Sequence, residues 1–434
     1  MATRQWLGDA LAVANVQTLT VGGTWVNGDK ITLTINGKDI VITVGNDITT
    51  TQVALLVAEA WNGTPITDPA ASTGTTGDLI PEYNEITASA SSAVVTLTHD
   101  TQGVPFTLAQ SEDSTLGTIT GPAATTAATG PNHWDEADNW SGSAVPVATD
   151  DVIFDSGSVP VKYGLAQSAV TLASLTVEMG YSGFIGLPNL NVDAGSSNSY
   201  SEYRATELAI SATTITIGGG EGNGSGRIKL NTGTVNTTIN VFNTGQASET
   251  GVPSFIWNSG TATNNVNLLK GNVGVAIFSG DVVTITNLRI GFVSSTIGDV
   301  TLRAGSGLTI TNVTMGGGTV TLQSATTLVD MTDGVLTLLS GAHAALNIDG
   351  GTCLYRSAGT LTQGRVGPDG TIDCSQDPNA RTFTNLELLE QSTFKDPNKS
   401  VTFTNAIELT RTGIEKLKEL NLGSHYSIQR GVIP

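Results

Sequence analysis

Apolar and polar residues alternate in short runs along most of this chain, and Gly, Asn or Asp interrupts the runs every few positions. Period-two runs bounded by turn formers are the sequence form of half-buried strands. From residue 132 onward almost no helical periodicity survives until Gly413. The clearest register is Gly318-Thr-Val-Thr-Leu322, Gly334-Val-Leu-Thr-Leu338, Gly351-Thr-Cys-Leu-Tyr355 and Gly370-Thr-Ile-Asp-Cys374, with glycines 16, 17 and 19 residues apart. Phe383-Thr-Asn-Leu386 returns as Phe403-Thr-Asn-Ala406 after a step of 20, and Thr286-Asn287 and Thr311-Asn312 use the same vocabulary. A step of this size is one coil of a parallel β-solenoid, in which each strand pairs with its equivalent in the next coil. That register also predicts Cys353 and Cys374 as inward thiols stacked on adjacent coils.

The first part of the chain has a different style. Ile31-Thr-Leu-Thr-Ile35, Asn36-Gly37 and Ile40-Val-Ile-Thr-Val44 predict a hairpin, because a tight type I′ turn needs positive φ at both central residues. Thr49 with Gln52 three residues on is a capping box. Val53, Leu56, Val57 and Ala60 then line one helical face, and Asn62-Gly63 with Pro65 ends the helix. Further strands are predicted over 85–90, 93–99 and 105–109. The fold class is therefore mainly β: a small α+β domain, a hairpin sheet with one helix, followed by a parallel β-solenoid or β-helix with a C-terminal cap. The predicted boundaries are an N-terminal arm at 1–15, the α+β domain at 16–122, a linker at 123–131, the solenoid at 132–412 and the cap at 413–434. The cap is expected to include a short helix over Ile414–Leu420.

Composition sharpens the picture. The chain carries 51 Gly and 65 Thr in 434 residues, which suits strands and turns and disfavours helices. Its 38 acidic against 19 basic residues leave a formal charge of −19. That balance argues against nucleic acid and against an anionic membrane surface as partners. Two cysteines are too few for a disulfide framework and have no metal-type spacing. Asp9 interrupts an already short apolar run at the start, so no signal peptide is expected, and no stretch approaches the ~18 apolar residues of a membrane span.

Candidate chemistry is sparse. Gly218-Gly-Gly-Glu-Gly222-Asn-Gly-Ser-Gly226-Arg227 has the look of a phosphate loop, but Ile228-Lys-Leu230 after it reads as a strand and not the required helix, so a turn between coils is expected. His133-Trp-Asp135-Glu-Ala-Asp138-Asn-Trp140 gathers an imidazole, three carboxylates and two indoles; a Trp-rich cap over the first coil with its acids in water is the favoured reading over a cation site. Asp330, Asp333, Asp349, Asp373 and Asp377 could align on one face as glycan-cleaving carboxylates, but they sit where Asp also favours turns. His99, His133, His343 and His425 lie in unrelated contexts, and Gly195–Tyr203 reads as a surface loop, either for contacts or exposed with no partner. The sequence thus nominates no catalytic, cofactor-binding or metal-ligating residue.

Thr3-Arg-Gln-Trp-Leu-Gly8, Gly130-Pro-Asn-His-Trp-Asp-Glu-Ala-Asp-Asn-Trp-Ser-Gly142, Val145-Pro, Asp150-Asp-Val-Ile-Phe154 and Tyr163-Gly-Leu165 resemble uncharacterised β-solenoid proteins of tailed phages and related bacterial genomes. The resemblance implies a non-enzymatic virion structural protein, synthesised in the host cytoplasm. Its expected role is capsid decoration or a head fibre, docking by its N-terminal region on the major capsid protein or another virion component and assembling as a homotrimer. The alternative is a tail fibre or tailspike that binds, and in one version cleaves, host surface glycan.

Overall fold

The computed structural model of the chain describes residues 2–45, 48–67, 72–73, 76–188, 199–248, 250–260, 262–291, 300–410 and 419–421. The chain is mainly β, with one α-helix among these residues. Most of its strands belong to one continuous, solenoid-like sheet running from Thr3–Gln5 to Glu419–Asn421, and every strand pairing in it is parallel.

The glycine register of the sequence is the register of the sheet. Gly351 pairs with Gly370, Thr319 with Val335, Val335 with Thr352, and Phe383 with Phe403. Period-two alternation then makes inward columns. Phe154, Val177, Ile217, Val241, Leu268, Ile290, Met315, Met331, Ile348, Val366 and Leu388 follow one another in register, rung upon rung. All of them are buried. A single rung could not hide this face from water; stacking does, at about 1.5–3 kcal/mol per large side chain buried. A neighbouring row on the same strands shows why the period was legible only in the later rungs. Thr214, Thr238, Asn265, Asn287 and Asn312 are register partners, so the earlier steps are 24, 27, 22 and 25 residues, lengthened by turns of unequal size.

The described residues between 16 and 126 form two four-stranded antiparallel sheets and a helix outside the long sheet, where the sequence predicts one hairpin sheet. The hairpin turn is as expected, with Asn36 at φ 54° and Gly37 at φ 70°. The helix Thr50–Asn62 has its capping box in place and ends at Gly63 in the left-handed region. Val53, Leu56, Val57 and Ala60 are buried on it against Ile31, Leu33, Ile40 and Leu97.

Several boundaries differ. The third predicted strand, 105–109, shifts to Ala109–Glu112, because Pro105 has no N–H to donate and the Phe106 carbonyl accepts from the Gln17 side chain at 2.8 Å. The stretch read as a linker begins inside a strand: Gly117–Thr126 pairs with Val16–Gly23. Nor does the N-terminal arm hang free. Thr3–Gln5 adds in parallel to Asp151–Phe154 as the first rung of the long sheet. At the far end, 411–418 and 422–434 lie outside the described residues, and with them most of the predicted cap. The last two residues of the expected helix, Glu419 and Leu420, lie instead in a strand paired with Thr393–Lys395. Cys353 and Cys374 are both buried and free, but Cys353 pairs in register with Ile372, so the thiols are offset diagonally instead of stacked.

Candidate functional site

Three features gather the polar and aromatic residues of the chain. The first is the end of the stack. Trp6, Trp134 and Trp140 bury their indoles against Phe154, with Trp6 and Trp140 5.0 Å apart and Trp134 and Trp140 4.7 Å apart, both edge to face. Trp6 Nε1 donates to the Val159 carbonyl and Trp140 Nε1 to the Trp134 carbonyl. Asp150 pins the arm by accepting from the Ala2 amide at 2.9 Å and facing Arg4 at 3.5 Å. Burial works against the Asp150 charge, but the Ala2 and Val147 amides and Arg4 outweigh it, so its carboxyl titrates below the usual range. Of the three acids that the cap reading places in water, Asp135 and Asp138 are exposed and Glu136 is half-buried. Asp135 also lies 3.5 Å from His133 Nδ1, and that contact lowers its pKa.

The second feature joins the N-terminal unit to the stack. Glu82 has a fully buried side chain, takes Lys38 Nζ at 2.7 Å, and accepts from the Ser201 amide at 3.1 Å. Asn36, in the hairpin turn, donates to the Ser201 carbonyl at 3.0 Å, and Lys38 also reaches the Ser199 carbonyl. Burial opposes the Glu82 charge, and the bonds from Lys38, Asn36 and backbone amides overcome it, leaving a lowered pKa. Arg204 is held by Glu202 at 2.7 Å, by the Tyr200 hydroxyl at 2.6 Å and by Glu85 at 3.5 Å, with Tyr203 stacked beneath it at 4.9 Å. Burial disfavours its charge, but Glu202 and Glu85 more than compensate and raise its pKa. Beside this clasp lies a cleft of about 320 Å³ lined by Phe106, Asp135, Lys162, Tyr163, Tyr203 and Arg204. Its guanidinium is already neutralised by two carboxylates, so the arrangement holds two parts of the chain together. Within the Gly195–Tyr203 loop, Ser199 and Ser201 bond to the chain's own N-terminal unit; residues 195–198 lie outside the described ones.

The third feature is an outward row of amides along the sheet. Asn287 donates to Asn265 at 2.8 Å, Asn312 to Asn287 at 3.1 Å, and Asn267 to Asn240 at 2.8 Å.

The other sequence candidates do not converge. Gly218–Arg227 is a turn between the strands Leu208–Ile217 and Ile228–Asn231; a Cβ at Gly218 would meet the Asn243 carbonyl at 1.8 Å and one at Gly222 the Met179 carbonyl at 2.0 Å. The five aspartates do not form one row. Asp330 lies in the stack with Asn347 and Arg365, whereas Asp373 lies in the other strand stack, opposite Leu354 and Lys395. Asp330 accepts from Asn347, Asp349 pairs with Arg365 at 2.5 Å, and Asp373 and Asp377 accept from the Ser375 and Asn379 amides in turns. His99, His133 and His343 have separate partners, Glu85, Asp135 and Thr326 in turn, while His425 is outside the described residues. Among the described residues no group of three His, Cys, Asp or Glu side chains is placed to hold a metal ion, and no helix is long and apolar enough to cross a membrane.

Sequence reasoning missed Glu82, Glu85 and Arg204, whose contacts across the joint, Glu82 with Ser201 and Glu85 with Arg204, each span 119 residues, and the amide row. The Asn row did leave a trace, in the Thr-Asn pairs at 286–287 and 311–312. No known family model, no curated protein and no solved structure matches this chain.

Proposed function

We propose that this chain is a non-enzymatic structural component of a tailed-phage particle, a capsid-decorating or head-fibre protein. In finer terms it is a β-helix carrying an N-terminal α+β domain at its first rungs. The observation that carries the reading is the unbroken buried column from Phe154 to Leu388. A rod built this way extends by repetition and needs no ligand to be rigid. The Glu82 and Arg204 clasps fix the N-terminal unit to one end of that rod, which suits docking at the base and projection of the rest.

Docking on the major capsid protein or another virion component would be area-driven, with well over ~1,000 Å² buried. The net charge of −19 favours solubility at the concentrations a virion protein reaches. The proposed assembly is a homotrimer, made in the host cytoplasm and incorporated there.

Quantitative mass spectrometry of particles purified from a lysate of the encoding phage tests this reading. The chain is expected at a fixed stoichiometry to the major capsid protein, in multiples of three. Its loss from gradient-purified particles while abundant in the lysate would overturn it.

A further inference from the structure

The cleft beside the Arg204 clasp is built from four separate stretches of chain. Pro105 and Phe106 come from the N-terminal unit, Asp135 from the Trp-rich cap, Lys162 to Gln167 from the stack, and Tyr203 and Arg204 from the clasp loop. At about 320 Å³ it falls at the small end of ligand clefts, and its walls are mainly apolar and aromatic. Among them Phe106 and Leu165 are buried, and Tyr163 and Tyr203 are half-buried.

Two opposite charges of this cleft are left open. Lys162 is half-buried, and among the described residues its ammonium has no hydrogen-bond or ion-pair partner. Arg204 differs, being held by Glu202 and Glu85. Asp135 is exposed, and its contact is with His133 Nδ1 at 3.5 Å, not with Lys162. His133 Nε2 stands 2.8 Å from the Gly103 carbonyl, which can only accept, so Nε2 carries a proton. In the imidazolium the Nδ1 proton serves Asp135. In the neutral ring Nδ1 is a lone pair, and it faces the carboxylate as a second acceptor without a donor. Gly164, at φ +66°, brings Asp135 to the same short stretch as Lys162, since a Cβ there would overlap Asp135 Oδ1.

An apolar wall with one open cation and one open anion, not paired with each other, complements a molecule that carries both charges and an apolar body. A ligand with net charge fits less well. An anion would meet Asp135 as well as Lys162, in a chain of net charge −19, and a cation would meet Lys162 and Arg204.

We propose that this cleft binds a small zwitterion with an apolar side chain, an aliphatic or aromatic α-amino acid or a short peptide. Its carboxylate lies on Lys162, its ammonium on Asp135 and its side chain against Phe106, Leu165 and Tyr203. Because the walls come from both the N-terminal unit and the stack, the bound ligand also stabilises the joint. The inference does not rest on the virion reading, and neither fails with the other.

The test is a calorimetric titration of the full-length chain with phenylalanine, leucine and the dipeptide leucyl-phenylalanine. Beside each stand its amide, which lacks the carboxylate, and its N-acetyl form, which lacks the ammonium. Saturable binding of at least one free form is expected, and whether amino acid or dipeptide binds separates the two sources. Each blocked form should bind about tenfold or more weakly. Lys162→Gln should remove the preference for the acid over the amide, and Asp135→Asn the preference for the free amine over the acetylated one. Absence of saturable binding by all three, equal binding of free and blocked forms, or a preference for the acid that survives in Lys162→Gln would each overturn the proposal. The comparison of free with blocked forms is made on the parent chain, so it stands whether or not either variant folds.

Discussion

Trp6 meets Trp140 edge to face, ring centroids 5.0 Å apart, across the whole of the inserted N-terminal unit. The first strand of the chain thus closes the end of a stack whose second strand begins only at Asp151. Trp6→Ala should open that end and destabilise it by about 3–5 kcal/mol, the usual cost of removing a buried indole. Equilibrium denaturation followed by fluorescence would show this as early loss of the stack signal. An unchanged midpoint would mean that the arm merely rests on the cap.

Gly351 stands at φ +75° and pairs with Gly370, and a Cβ there would lie 2.6 Å from the Gly334 carbonyl. Gly351→Val should cost about 1–3 kcal/mol from the backbone conformation alone, with the clash added. A calorimetric scan of the variant checks it; a melting temperature equal to the parent's would refute the tight glycine turn.

His343 is buried, with Nδ1 2.9 Å from the Thr326 hydroxyl, and burial pushes its pKa down to about 4. Above the ordinary value of about 6.5 both folded and unfolded chains hold the ring neutral. As pH falls from there toward about 4 the unfolded chain takes up a proton that the folded chain refuses, so stability declines over that window. The shift corresponds to about 3 kcal/mol. Acidic residues also titrate in this range, and comparison with His343→Gln removes their contribution. The stability difference between parent and variant should shrink by about 2–3 kcal/mol between pH 7 and pH 4.5; a difference independent of pH would contradict it.

Cys353 and Cys374 are buried, and burial pushes both thiols up, Cys374 to about 12. Neither should react with a disulfide reagent at mild alkaline pH in the folded protein, and both should react in denaturant. Rapid labelling of the native chain would place them at the surface.

Glu82 supports Lys38, Asn36 and the Ser201 amide from a fully buried position. Glu82→Gln leaves Lys38 without its counter-charge and should loosen the joint by about 3–5 kcal/mol. Hydrogen exchange at Ser201 to Arg204 should accelerate while the helix Thr50–Asn62 keeps its protection. Uniform acceleration in both would mean that Glu82 stabilises the N-terminal unit and not the joint.

What the sequence made legible was local or periodic. The Thr49 capping box, the Asn36-Gly37 turn and the Gly334–Gly351–Gly370 register are each written within a few residues or in a repeat. The indoles of Trp134 and Trp140 marked a cap because aromatic burial in a Gly-rich chain has few other uses. Pairings set by the tertiary fold were not legible. Nothing near Thr3–Gln5 says that it pairs with Asp151–Phe154, or near Glu82 that it meets Ser201. The small residues from Ala123 onward predict a linker, yet an edge strand tolerates them when a partner such as Val16–Gly23 supplies the ladder. The amide row depends on rungs of unequal length, which hid the alignment of Asn265, Asn287 and Asn312.

A cryo-EM map of the intact particle of the encoding phage, with this chain located in it, tests the central claim most directly. The account predicts threefold density on the capsid lattice, with the N-terminal unit and the first rungs against the shell and the stack projecting outward. Density confined to the tail tip, or none attributable to the chain, would contradict it.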